Sequence, residues 1–271
     1  MSMSEKNRIK VDMDGHIAWL ILNRPESRNT MGVVFFQELK ERFEQFDKDP
    51  NVRVVVIRAE GKSFTAGIDL AEFDSLLKVG TGADSREYLR KKLIEGQEGM
   101  NAIEKCQKPV IAAVHGHCIG AGVDLLSACD IRMASKDALF SIRETRIGMI
   151  ADLGTLQRLP CIIGHGWFRE LALTGRDFAA QEALQMRFVT RICADREELY
   201  AEAREMALQI ADCPPLAVQG VKEVILHSRD HGVHAGLHYV AQKNVVGFHS
   251  EDVMEAMNAF MEKRPPVFRG K

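Results

Sequence analysis

The sequence predicts an α/β fold, a mixed strand–helix core followed by a helical C-terminal appendage. Three observations predict it. Strand-like and helix-like segments alternate through the first half, the pattern after about Asp177 is helical by period, and no evident linker separates the two parts. A chain that is strand-rich first and helical afterwards fits one layered core with an added helical region. The expected division is a core over 1–205 and a helical region over 206–271.

The elements follow in order. His16–Arg24 is a short apolar run stopped by Pro25, which fits a buried strand. Thr30 is placed to cap a helix running to about Phe46, with Leu39, Phe43 and Phe46 at helical spacing. The β-branched run Val52–Arg58, flanked by Asp49-Pro50 and Glu60-Gly61, reads as a strand. Gly80-Thr81-Gly82 suggests a loop before an amphipathic surface helix from about Ser85 to Cys106. Pro109–His115 is another buried strand, and Ile131–Ile142 holds one or two more. Beyond Asp177 the helical segments are 180–187, 196–211, 216–227, 233–246 and 252–262.

Composition narrows the function classes. The chain has 271 residues, with 36 Lys and Arg against 38 Asp and Glu. That near-neutral balance argues against nucleic-acid binding through a general basic field and against a polybasic membrane-surface protein. Nothing approaches the roughly 18 uninterrupted apolar residues of a membrane span. The six cysteines are scattered, with no CxxC pair, and several lie in apolar runs, which suits buried thiols of a reducing compartment. The opening MSMSEKNRIK lacks the apolar stretch of a signal peptide, and Phe268–Lys271 is no peroxisomal tripeptide. Together these predict a cytoplasmic protein.

Several catalytic signatures are absent from the sequence: GxxxxGK[ST], HExxH and GxSxG. Read as GxGxxG from Gly120, the glycine cluster puts Leu125 where the third glycine belongs, so a dinucleotide reading is weak. Two glycine-containing turns after strands remain, 64–69 and 116–122, the second entering a predicted helix, 123–129. Backbone N–H groups from two such turns can form an oxyanion hole; the plainer reading is tight turns beside packed strands. Three acidic residues follow in apolar company: Asp124, Glu144 and Asp152. Such carboxylates should hold raised pKa values and trade protons. Taken singly, Asp124 also fits a helix N-terminus, Asp152 a cap for a helix from Thr155, and Glu144 a pair with Arg143 or Arg146.

Taken together, these segments resemble the crotonase (enoyl-CoA hydratase/isomerase) superfamily. The matching stretches are Leu20–Pro25, Phe64–Leu70, Lys108–Asp130, Leu173–Gly175 and the Arg264–Phe268 tail, so the likeness covers nearly the whole chain. Enoyl-CoA hydratases carry a glutamate where this chain has Asp124. An Asp here, a Glu twenty residues on and an Asp eight beyond resemble the Δ3,5-Δ2,4-dienoyl-CoA isomerases. So do Gly154–Pro160 and Ser228–His231.

The resemblance implies a ββα spiral core with a C-terminal helical region that trimerises, as a homotrimer or a homohexamer built as a dimer of trimers. It implies an acyl-CoA thioester substrate and no metal or redox cofactor. The catalytic set would be Asp124, Glu144 and Asp152, with Glu144 at C2 and Asp152 at C6, or the reverse, and Asp124 orienting. The oxyanion hole would be the N–H groups of Ile68 and Ala121, an alanine where the family commonly has glycine. Arg28, Ala66, Gly67 and Asp69 would bind CoA, although Arg28 alone reads equally as a solvated loop charge. The competing readings are an enoyl-CoA hydratase and a non-catalytic relative that binds acyl-CoA or RNA. The net charge of −2 argues against RNA. His227, His231, His234 and His238 fall at spacings that share a helix face. A polar interface is the better reading there than a metal site, because no carboxylate or cysteine completes a ligand set.

Overall fold

The computed structural model describes residues 8–271. The first seven residues of the expected 1–205 core, and with them most of the MSMSEKNRIK opening, lie outside the described residues. A six-stranded sheet is ordered β1-β2-β3-β4-β6-β9, from Ile9–Asp14, Ile17–Leu22, Val54–Ala59, Val110–Val114, Ile131–Ser135 and Arg191–Cys193. β1 and β2 are antiparallel, and every other neighbouring pair is parallel. A three-stranded sheet, β5-β7-β8, uses His117–Ile119, Leu139–Ser141 and Asp177–Ala179.

The central strands β2, β3 and β4 of the large sheet are buried on both faces, as parallel strands between helical layers must be. Period-two alternation sorts the side chains. Val55 and Ile57 of β3 with Val110, Ala112 and Val114 of β4 enter one cluster. Val54, Val56, Ile111 and Ala113 enter the other, with Leu199, Ala203, Ala207 and Ala211 of α8 (Arg196–Ala211). That four-residue spacing lays one stripe of α8 on the sheet. α8 therefore crosses the expected 205/206 boundary unbroken, with Ala207 and Ala211 still in the core; the all-helical remainder starts after it.

The remaining helices are α1 (Val33–Lys48), α2 (Leu70–Leu77), α3 (Ala83–Lys105), α4 (Ala121–Ala128), α5 (Thr155–Ile163), α6 (His165–Thr174), α7 (Ala180–Gln185), α9 (Pro215–His231), α10 (Val233–Gly247) and α11 (Glu251–Glu262). Buried Lys222 ties α9 to the core, donating to Asp130 Oδ2 at 2.7 Å and to the Lys108 carbonyl at 3.1 Å. The C-terminal tail folds back, with Asp252 accepting from the Arg269 and Gly270 amides at 2.7 and 2.9 Å. No helix among the described residues is long and apolar enough to cross a membrane.

Several expectations are corrected. β8 and β9 lie beyond or at Asp177, so the second half is not helix alone; three-residue strands carry too little period-two signal to read. Gly32, not Thr30, caps α1, because the Thr30 hydroxyl donates to Asp69 Oδ2 at 3.2 Å instead. The four histidines do not share one helix: Gly232, at φ 86°, separates α9 from α10. His227 and His231 stack with ring centroids 4.4 Å apart, and Tyr239 stacks on His227 at 4.1 Å.

Candidate active site

Two turns meet at the ends of the parallel strands. The turn after β3 and the strand β5 are joined by a Thr65–Cys118 bridge, with Ile119 N–H donating to the Thr65 carbonyl at 3.2 Å. They abut so closely that a Cβ on Gly67, which has φ 91°, would lie 2.7 Å from the Ile119 carbonyl oxygen and 3.7 Å from Ala121 N. Only glycine fits there. Met31 bridges to the same turn: its N–H donates to the Gly67 carbonyl and its carbonyl accepts from Asp69, both at 2.8 Å. That pattern passes over Ile68, whose amide has no backbone acceptor among the described residues. Ala121 opens α4, so its N–H has no intrahelical partner and sits at the positive end of the helix. The expected pair of donors thus stands on adjoining turns.

Asp124 lies in the first turn of α4 and is buried. Its Oδ1 accepts the Thr155 N–H at 2.7 Å, so it caps α5 from another helix. Burial pushes its pKa up to about 6 against that hydrogen bond, and the charge of Asp152 adds to the rise. Asp152 does not cap α5; Gly154 holds that position.

Glu144 opens a short 3-10 turn, Glu144–Ile147, and is 8% exposed. The two cations proposed for it are engaged elsewhere: Arg143 pairs with Asp177, and Arg146 donates to the Thr174 carbonyl. Its Oε2 is buried without a hydrogen-bond partner among the described residues. Burial and then the charges of Asp124 and Asp152 push its pKa up to about 7. A Cβ on Gly120 (φ 55°) would stand 3.0 Å from Glu144 Oε1, so the carboxyl rests on the residue preceding the Ala121 donor. An ion pair would have removed the basicity; an orphaned, desolvated carboxylate is a proton acceptor.

Asp152 is half-buried, and burial raises its pKa. It lines a cavity of about 580 Å³ whose other walls include Phe36, Ile68, Phe73, Leu89, Met149 and Ile150. Leu76, Leu93 and Gly96 also line it, so the 75–99 segment forms much of its wall. Such an apolar cavity suits an acyl chain. Asp124 and Glu144 are not among its lining residues.

The CoA expectations rest on a backbone framework. The Ala66 N–H donates to the Arg28 carbonyl at 2.9 Å, and Arg28 is exposed in a left-handed conformation. Asp69 is occupied by the protein, accepting from Ala71 and Thr30 and pairing with Arg24 at 3.4 Å. Sequence reasoning missed Gln97, whose Nε2 donates to the Asp152 carbonyl at 2.8 Å. It named Thr155 only as a helix start and missed its amide as the partner of Asp124. Neither contact has a local sequence signal, because each joins residues more than thirty positions apart. No group of His, Cys, Asp and Glu residues among the described residues is arranged to hold a metal ion.

Residues 12–271 match the family model described as enoyl-CoA hydratase/isomerase. Over 265 residues, 97% of this chain and 90% of the relative, the chain is 40% identical to a protein of Dictyostelium discoideum named mitochondrial Delta(3,5)-Delta(2,4)-dienoyl-CoA isomerase. It is 43% identical, over 96% of this chain and 95% of the relative, to the peroxisomal protein of that name from Arabidopsis thaliana. Among solved structures it is similar to an enoyl-CoA hydratase from Bacillus anthracis, with TM-score 0.90 and 33% identity, covering 98% of this chain and 100% of that one. The expected fold class stands on these matches. The cytoplasmic expectation does not, because the relatives are named mitochondrial and peroxisomal. It rested on terminal sequences and cysteine usage, and an address read by a receptor is separable from the fold.

Proposed function

This chain belongs to the enoyl-CoA hydratase/isomerase family, and from that premise we propose that it converts 3,5-dienoyl-CoA to 2,4-dienoyl-CoA. The C2 proton of such a thioester is acidic because its loss gives an extended dienolate. Glu144 takes that proton, and negative charge moves to the thioester oxygen. The N–H groups of Ile68 and Ala121 receive the oxyanion, with the α4 terminus adding its dipole. Asp152 then protonates C6, which moves both double bonds into conjugation with the carbonyl. Asp124 orients the site by capping α5 and helps keep the pKa of Glu144 raised. Coenzyme A belongs to the substrate, and the scheme uses no further cofactor.

One observation carries the assignment: the two proton-handling carboxylates are placed differently. Glu144 rests against Gly120, beside the Ala121 donor that would hold the thioester oxygen. Asp152 stands on the wall of the apolar cavity, where the chain runs on towards C6. Arg28, Ala66, Gly67 and Asp69 form the segment assigned to CoA. The α9–α11 region serves oligomerisation, supported by outward apolar side chains such as Val246, Phe260 and Met261, each more than three-quarters exposed. Trimer and dimer of trimers are the assemblies proposed.

The test is a 3,5-dienoyl-CoA series of several chain lengths, followed by the absorbance of the conjugated product. Appearance of that chromophore supports the reading. No absorbance gain, with rapid hydration of a 2-enoyl-CoA instead, replaces it with a hydratase.

A further inference from the structure

Asp152 and Leu153 form a partition between two cavities of different character. On one side is the apolar cavity described above. On the other is a polar cavity of about 540 Å³, lined by Gln97, Asn101, Glu104, Gln157 and Arg158 among others. Its polar wall is held by a built network. Arg158 pairs with Glu104 at 3.1 Å and donates to Asn101 Oδ1 at 2.6 Å, and Arg229 also pairs with Glu104. Gln157 and Cys161, one turn apart on α5, line it and are exposed, so it reaches the surface. At roughly 30 Å³ per water and with amides and charges on its walls, it accommodates a string of waters. Asp152 lines both cavities, whereas Glu144 lines neither of the two.

The proposed isomerisation, on which this inference rests, has a balance to restore. Each turnover breaks the C2–H bond and leaves the proton on Glu144, while the C6–H bond forms with the proton of Asp152. The enzyme ends with Glu144 protonated and Asp152 ionised, the reverse of its starting state. We propose that the polar cavity behind Asp152 is the proton inlet that reloads it from solvent water between turnovers. A cavity water gives Asp152 its proton, and the hydroxide equivalent so formed is neutralised by the proton that Glu144 releases once product has left. No net charge or proton accumulates over the cycle.

The experiment runs the isomerisation in D₂O over many turnovers at low conversion and reads deuterium at C6 of the product. Wild-type protein should place solvent deuterium at C6 in most turnovers. Gln157→Phe and Cys161→Phe, made separately at exposed positions, narrow the cavity without touching the acyl chain. Each should lower C6 deuterium to less than about half of the wild-type content and reduce kcat with KM unchanged, as protons return directly from Glu144. C6 hydrogen derived from substrate in the wild type overturns the inlet. So does full deuterium content and unchanged kcat in both variants. Absence of the 2,4-dienoyl chromophore in ordinary water, read before any isotope, overturns the isomerase reading and the inlet with it.

Discussion

The Thr155 amide donates to Asp124 Oδ1 at 2.7 Å, joining the start of α5 to the start of α4. The segment that carries Asp152 runs directly into this junction. Asp124 therefore has two separable properties, an acceptor that fixes the junction and a charge that acts on its neighbours.

Asp124→Asn keeps an acceptor and removes the charge. It should fold normally, and relief of repulsion should lower the pKa of Glu144, moving the basic limb of the kcat/KM profile to lower pH. Asp124→Ala leaves a buried amide unpaired and should cost about 1–3 kcal/mol in urea unfolding. Equal destabilisation of both variants would show that the cap is not what Asp124 supplies.

Glu144→Gln should trade activity for stability. The folded-state pKa of Glu144, about 7, lies above the ordinary 4.5. The native state thus holds a proton that the unfolded chain has released between those values. The stability contributed by this group is full below the unfolded pKa and is lost as pH rises through about 7. At 1.36 kcal/mol per pKa unit, removing that loss is worth roughly 3 kcal/mol at most above pH 7. Thermal unfolding at pH 8 should show a higher Tm in the variant, with isomerisation nearly abolished; a lower Tm would contradict the origin of the shift.

The pH profile should be bell-shaped. Glu144 and Asp152 titrate as a coupled set, and the productive form holds one proton between them. A second proton at low pH occupies the base; loss of the last one, near pH 7, removes the acid. Measured kcat/KM should decline above about pH 7, and a profile rising steadily to pH 9 would exclude the shared-proton state.

The legibility of the site follows the range of its interactions. Val54–Ala59 and Val110–Val114 are readable because β-branched runs mark buried parallel strands. The turns holding Ile68 and Ala121 are readable because glycine marks a close backbone approach. The approach itself, Gly67 against Ile119, is set by strand pairing and has no local signature. The same holds for the Thr155–Asp124 and Gln97–Asp152 bonds. Asp152 shows the limit: next to Thr155 in sequence it looks like a cap, yet Gly154 takes the cap position and Asp124 takes the amide.

Asp152→Asn should leave fold and CoA binding intact while nearly abolishing isomerisation, because an amide is isosteric but cannot deliver the C6 proton. Its carbonyl would still accept from Gln97, so the loop is kept. Circular dichroism, CoA titration and the chromophore assay check the three parts. Full activity would refute the role given to Asp152.

Lys222→Met tests how the helical region is attached. The Lys222 ammonium is buried and donates to Asp130 Oδ2, while the same oxygen accepts the Val110 N–H at 2.8 Å at the start of β4. Met fills a similar volume but leaves Asp130 without its cation and the Lys108 carbonyl without that donor. Breaking a fully buried pair costs about 3–5 kcal/mol, and the partial exposure of Asp130 reduces this to about 2–3 kcal/mol. Because α9 is held at this point, the loss should appear first as detachment of the helical region, with proteolysis near residues 212–214 preceding global unfolding. A substituted protein that unfolds in one step with unchanged midpoint would show that packing alone holds α9 in place.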